Sequence, residues 1–179
     1  MHALTLEASR RTELATPSFA AVAEELLDDV YGYLLYLTRN WALAEDLTSE
    51  TFETALRRWK RFDSRRGTHR AWLLAIARST ALDRFRADAR RKRREERAET
   101  GAPRDAEEHV FGEGFSPELE DGLRALTAGE REVVALRIVL DLSSEEAADL
   151  LGITPTAVST RLHRALGKLE ERMRQDDVA

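Results

Sequence analysis

Apolar residues return at steps of three and four along most of this chain, the spacing of a helix that buries one face. From Pro17 onward Phe19, Val22, Ala23, Leu26, Leu27, Val30, Tyr31, Leu34, Leu35 and Leu37 follow that rule and predict one long helix. A second segment, AEDLTSETFETALRRW, sets Leu47, Thr51 and Ala55 on one stripe with Phe52, Leu56 and Trp59 beside it. A third begins near Thr68 and runs through Trp72, Leu73, Ile76, Ala77 and Leu82 into RFRADARRKRREER. Its apolar stripe stops after Phe85, so the remainder is expected as a solvated basic helix or a frayed end.

The next stretch breaks the rhythm. Residues 97–116 carry Gly101, Pro103, Gly112 and Gly114 among acidic groups, the composition of a linker. About 20 residues can span at most about 65 to 70 Å. Periodicity resumes near Pro117 and predicts four short helices. Thr127 with Glu130 and Ser143 with Glu146 each have capping-box spacing, in which a hydroxyl and a carboxylate satisfy the unpaired amides of a helix start. The predicted layout is a tail over 1–16, one helical domain over 17–96, a linker over 97–116 and a second helical domain over 117–175. The fold class is all-α, with two small domains. Nine glycines and four prolines are too few for a turn-rich β protein of 179 residues.

Charge sharpens the picture. The net charge is -5, which by itself argues against nucleic acid, yet residues 57–97 hold 16 basic side chains against 5 acidic ones. Binding to a polyanion follows the local field, so this block remains a candidate. It also contains Trp59, Phe62, Trp72 and Phe85. Cations follow phosphates and aromatic faces stack on unpaired bases, a combination suited to opened DNA. Trp59 and Trp72 sit on apolar stripes and also fit a core role. Phe62 lies in the loop-like RFDSRRGTHR, where Gly67 interrupts periodicity and a pocket for an extruded base is plausible.

A second DNA signal lies in SSEEAADLLGITPTAVSTRLHRALGKLEER. Ala148, Gly152 and Val158 stand at the offsets of a helix-turn-helix: a small residue where the helices cross, a glycine for the left-handed turn and an apolar anchor. Thr154 and Pro155 suit the N-cap and first position of the second helix. With Val158, Leu162, Ala165 and Leu169 inward, the outer face carries Thr156, Ser159, Thr160, Arg161, His163, Arg164 and Lys168. Such a face can meet phosphates and base edges in a major groove. An ordinary helical hairpin with a solvated face has the same pattern.

Other chemistries find little support. No cysteine is present, which excludes disulfides and thiolate metal sites and fits a reducing cytoplasm. His2, His69, His109 and His163 lack ligand spacing. Neither a phosphate-cradling glycine loop nor a nucleophile with an evident base is seen, so no enzymatic activity and no cofactor are expected. The N-terminus lacks the pattern of a signal peptide and no apolar run nears the roughly 18 residues of a membrane span, so no membrane insertion and a cytoplasmic location are expected.

Taken in order, these segments resemble the extracytoplasmic-function (ECF) group of bacterial RNA polymerase sigma factors. AEDLTSETFETALRRW, RFDSRRGTHRAWLLAIARSTALDRFR and the basic tail look like that family's region two. LRALTAGEREVVALRIVLDLSSEEAADLLGITPTAVSTRLHRALGKLEE looks like region four. The two cover about three-quarters of the chain with no region three between them. The resemblance implies a non-catalytic initiation subunit whose first domain binds the clamp helices of core RNA polymerase through Asp46, Ser49, Glu50 and Arg57. Ser49 stands where the family usually carries Gln. It implies minus-ten recognition by Phe62, Asp63, Trp72, Arg78 and Ser79, with Arg84 and Arg86 on the DNA backbone. Ser79 replaces an Asn found in many members, and a hydroxyl lacks the two-pronged pattern of an amide.

For the second domain the resemblance implies a seat on the polymerase flap and minus-thirty-five recognition through Thr156, Ser159, Thr160, Arg161, His163 and Arg164. Promoter DNA, core polymerase and an anti-sigma factor are the implied partners. Elements about 18 base pairs apart lie near 60 Å at about 3.4 Å per step, within the reach of the linker. A free-standing regulator that binds an operator as a dimer, and a helical adaptor with solvated charge runs, are the competing readings.

Overall fold

A computed structural model describes residues 17–98 and 117–176. The predicted tail over 1–16 and nearly all of the predicted linker lie outside the described residues. Helix α1 spans Phe19–Thr38, α2 Trp41–Arg58 and α3 His69–Ala98, and α4 to α7 span Pro117–Ala125, Ala128–Val134, Ser144–Leu151 and Pro155–Asp176. The described residues contain helices and turns and no strand.

Ser18 starts α1 by accepting a hydrogen bond from the Ala21 amide, and Val22, Leu26, Val30, Tyr33, Leu34 and Leu37 form its buried stripe. Arg39 ends the helix in the left-handed region at φ 55°, with its N–H on the Leu35 carbonyl. One residue later the Asn40 side chain accepts from the Leu43 amide and starts α2. Periodicity predicts this helix from about Ala44, because a cap residue contributes nothing to an apolar stripe.

Leu47, Thr51 and Ala55 of α2 are buried as predicted. The hydroxyls of Thr48 and Thr51 donate to carbonyls one turn back, which satisfies them inside the core. Leu56, set beside that stripe, is 58 % exposed. Position 56 sits about 100° around the helix from Ala55, just past the edge of the stripe. Helix α3 contributes Leu73, Leu74, Ile76, Ala77 and Ala81 to the same core and stays helical through the basic stretch, where residues 89–95 are exposed.

In the second group both predicted capping boxes are present, Thr127 with Glu130 and Ser143 with Glu146. The four predicted helices are there, although α7 has 22 residues and is not short. Between α5 and α6 the backbone widens into a π-helical turn over Ala135–Val139, closed by the Leu140 amide on the Ala135 carbonyl. Helix α7 lies on α4 and α5, with Leu123, Leu126, Val134 and Ala165 buried together. Gly122 permits the approach, since a Cβ there would come within 2.8 Å of Leu169 Cδ2.

The two helical groups also pack on each other. Val133, Leu136, Leu140 and Leu142 share one buried cluster with Val30, Tyr33, Leu34 and Leu73. Periodicity marks an apolar face without naming its partner, so this packing is not read from the sequence.

Candidate polymerase and nucleic-acid interfaces

On α2 the turns that bury Leu47, Thr51 and Ala55 turn Asp46, Ser49, Glu50 and Arg57 outward, and all four are exposed. Glu53 joins them through an ion pair to Arg57 at 3.6 Å. The exposed Leu56 lies in the same helix.

The loop after α2 holds an aromatic cluster. Phe62 stacks on His69 with ring centroids 4.2 Å apart and lies 5.9 Å from Trp59 and 5.4 Å from Trp72. Trp59 in turn meets Phe19 edge-on at 5.3 Å. Phe62 is therefore one ring of a half-buried wall rather than a lone aromatic at an open pocket. His69, which sequence considers only as a metal ligand, is a member of that wall, and its shielded Nε2 has no hydrogen-bond partner. Among the described residues no cluster of potential metal ligands is found.

Asp63 shapes the loop. It accepts bonds from the Arg65 amide and guanidinium at 3.0 and 2.9 Å, and the paired guanidinium holds its carboxyl below the usual carboxylate range. On α3, Trp72, Ser79 and Arg86 recur every seven residues and so share a face. Ser79, Arg84 and Arg86 are exposed. Arg84 pairs with Asp88 at 3.1 Å and Arg86 with Asp83 at 3.0 Å. Such exposed pairs contribute little to stability. Arg78 is set about 100° away from Ser79 and points at the second domain, with Nε 2.8 Å from Glu132 Oε1.

The helix-turn-helix has the geometry its spacing predicts. Gly152 sits at φ 67° with open space around its missing Cβ, so backbone conformation and not crowding requires glycine. Thr154 accepts from the Ala157 amide. Ala148 and Val158 are buried where α6 and α7 cross. Thr156, Ser159, Thr160, His163 and Arg164 are exposed, and Arg161 is half-buried. The hydroxyls of Ser159 and Thr160 donate to the Pro155 and Thr156 carbonyls, which leaves their lone pairs facing out.

Lys168, read from sequence as part of this outer face, is exposed there and also ion-paired. Its Nζ lies 2.8 Å from Glu130 Oε2, the carboxylate that also closes the capping box. The Lys168 bond, and then the Thr127 amide, bring the Glu130 carboxyl from 4.5 down to about 2. A depressed folded-state value stabilises above the ordinary carboxylate range and is lost as pH falls toward 2. Glu130→Gln should therefore cost about 1–2 kcal/mol near pH 7 and little at pH 2. Urea unfolding at several pH values checks this.

Residues 22–91 match the family described as Sigma-70 region 2, and residues 117–169 match Sigma-70, region 4. The chain is 34% identical over 167 residues to the ECF RNA polymerase sigma factor BldN of Streptomyces coelicolor, covering 89% of this chain and 61% of that relative. It is 32% identical over 176 residues to the ECF RNA polymerase sigma factor SigC of Mycobacterium tuberculosis, covering 98% of this chain and 92% of that one. The fold is shared with the sigma factor RpoE of Bartonella quintana, solved with the anti-sigma factor NepR, at a TM-score of 0.72 and 23% identity over 87% of this chain and 96% of that one.

Two sigma-70 regions in this order define the class. The chain belongs to the ECF family of RNA polymerase sigma factors. Among the described residues no helix is long and apolar enough to cross a membrane.

Proposed function

We propose that this chain binds core RNA polymerase and directs it to a subset of promoters, acting in the cytoplasm as an initiation subunit that makes and breaks no bond itself. The observation that carries this reading is the pairing on one chain of regions 2 and 4 with a solvent-facing α7. Asp46, Ser49, Glu50 and Arg57 on α2 meet the clamp helices. The loop and α3 take the minus-ten element, with Phe62, Asp63, Trp72, Arg78 and Ser79 at the bases and Arg84 and Arg86 on phosphates. Helix α7 enters the major groove at the minus-thirty-five element through Thr156, Ser159, Thr160, Arg161, His163 and Arg164, while its domain rests on the flap. An anti-sigma factor covers these polymerase-binding surfaces when transcription is off.

Support comes from exposure, charge and relatives together. A purely solvated surface does not require cations, an aromatic wall and an outward groove-reading helix to occur on one chain. The test is initiation by purified core polymerase with and without the chain. Promoter-dependent RNA supports the reading. A shift of operator DNA without polymerase, and no initiation, would identify a free-standing regulator instead.

Arg164→Ala should lower initiation at promoters that depend on the upstream element by about 10- to 100-fold, the worth of one good base or phosphate contact. The loss should shrink at promoters lacking that element. Run-off transcription over a salt series checks it, and equal activity of the two proteins at every salt concentration contradicts it.

A further inference from the structure

His69 is the one polar ring in the aromatic wall. It opens α3, where the Thr68 hydroxyl accepts from the Ala71 amide, and Trp72 follows three positions later on the same face of the helix. The imidazole lies 4.2 Å from the Phe62 ring at an interplanar angle of 25° and 5.2 Å from the Trp59 ring at 24°. Trp59 and Phe62 are themselves within 9° of parallel. The rings of Trp59, Phe62 and His69 thus share one orientation, an arrangement to which a further flat π system can add.

Stacking alone does not call for an imidazole, because a phenyl ring makes the same contact without a polar edge. His69 Nε2 is enclosed and has no hydrogen-bond partner among the described residues. A buried polar atom left unsatisfied destabilises the fold, so the free chain carries a cost that a hydrogen-bonding ligand would remove. The ligand must bring a flat face together with a donor or acceptor in its plane. Charge narrows the choice. Lys60, Arg61, Arg65 and Arg66 are exposed around the wall, and Asp63, the one carboxylate of residues 59–69, is paired with Arg65. A polyanion whose units are flat, hydrogen-bonding rings is a single-stranded nucleic acid, with its phosphates on Lys60, Arg61 and Arg66.

We infer that His69 is a specificity-determining residue for the opened strand: an unpaired nucleobase joins the ring stack and its edge hydrogen-bonds Nε2, so the wall distinguishes among bases as well as holding one. The inference rests on the reading of this loop as the minus-ten site, and it adds what Phe62 cannot supply. A phenyl face stacks on every base, since every base has a π face. One imidazole nitrogen, fixed by its tautomer as donor or acceptor, satisfies some base edges and leaves others unpaired. Phe62, the ring nearest the imidazole, stands on the short loop between α2 and α3, so it can shift to admit a base while both helices stay in place.

Two measurements test this. In the first, the full chain labelled with 15N-histidine is titrated with an excess of a mixed-sequence 20-nucleotide single strand, and long-range proton–nitrogen spectra follow the imidazole nitrogens. His69→Phe identifies the His69 signals among the four histidines. His69 Nε2 should shift on addition of the strand. An unmoved Nε2 overturns the proposal.

In the second, promoters randomised across the minus-ten element are transcribed by purified core polymerase with the full chain, and the RNA is sequenced. One position should favour its best base over its worst by about 10-fold or more, the worth of one matched hydrogen bond to a base edge. His69→Phe keeps the ring and removes the nitrogen. It should reduce that preference to about 3-fold or less at that position alone, and its melting temperature should not fall, because an unsatisfied atom has been removed. His69→Ala, which also takes a ring from the stack, should weaken initiation on every base and lower the melting temperature. Unchanged preferences in His69→Phe, or an equal loss at every position, overturn the proposal and leave His69 a structural ring. The two readings fail separately. A shift of Nε2 without any initiation keeps base recognition and removes the sigma-factor reading, and initiation with unaltered preferences in His69→Phe does the reverse.

Discussion

Reversing charge on the outer face of α2, with Asp46→Arg and Glu50→Arg together, is expected to weaken binding to core polymerase by about 100-fold or more while leaving the fold intact. Both carboxylates are exposed and lie four residues apart, so they present one anionic strip. Exposed substitutions away from special features usually change stability by no more than about 0.5 kcal/mol. At an interface, by contrast, like charges brought together cost several kcal/mol, and about 2.7 kcal/mol already corresponds to 100-fold. Ser49→Ala is the contrasting variant: its hydroxyl carries no charge, and about 3-fold or less is expected. Fluorescence anisotropy with labelled protein and purified core measures both, alongside a thermal melt. Binding by the charge-reversed variant within about 3-fold of the native chain contradicts the placement of polymerase on α2.

Phe62→Ala should impair promoter opening by about 10- to 100-fold and closed-complex formation by no more than about 3-fold. Stacking of one base on an aromatic side chain is worth about 1–3 kcal/mol, and only the opened strand offers an unstacked base. The structure adds a complication with a remedy. Phe62 lies 4.2 Å from His69 and supports Trp59 and Trp72, so truncation also loosens the wall, by about 1–2 kcal/mol. Phe62→Leu restores much of the volume without a π face. Opening that stays impaired in Phe62→Leu while the melting temperature recovers assigns the loss to stacking. Permanganate reactivity reports opening, and footprinting at low temperature reports closed binding. Equal losses in the two assays contradict the assignment.

The parts legible in the sequence were those governed by local rules. A stripe at steps of three and four identifies α1, α2 and α3, and hydroxyl-to-carboxylate spacing places both capping boxes of the second domain. Ala148, Gly152 and Val158 predict the helix-turn-helix because close crossing, left-handed backbone and anchoring each admit few residue types.

What stayed hidden depends on partners distant in the chain. Glu132 lies 99 positions from Tyr33 and 54 from Arg78, and nothing in a charge pattern tells a solvated carboxylate from one clasped between domains. Lys168 lies on the exposed face as read, but its bond to Glu130, 38 residues away, left no mark in the sequence pattern. Leu56 adjoins the apolar stripe without joining it, and the pattern does not say how exposed such a flanking position is; 58 % of it is exposed. Phe62 was legible as unusual but not as stacked, since His69 carries no aromatic signal in a hydrophobic pattern.

The placement of candidate residues follows the same division. Exposure of Asp46, Ser49, Glu50 and Arg57 follows from burial of the opposite face of α2, and exposure of Thr156, Ser159, Thr160, His163 and Arg164 follows from the anchoring of Val158 and Ala165. Arg78 is the exception. It reads from sequence as a DNA contact, and the structure pairs it with Glu132 at 2.8 Å.

The central claim is that one chain brings core polymerase to particular start sites by placing α3 and α7 on two separated promoter elements. Sequencing RNA 5′ ends made by purified core polymerase on fragmented genomic DNA, with and without the chain, tests it most directly. Start sites that appear only with the chain should share a motif near minus ten and another near minus thirty-five, and Arg164→Ala should deplete those that depend on the upstream motif. Identical start sites with and without the chain, or new ones with no shared motif at either distance, would contradict it.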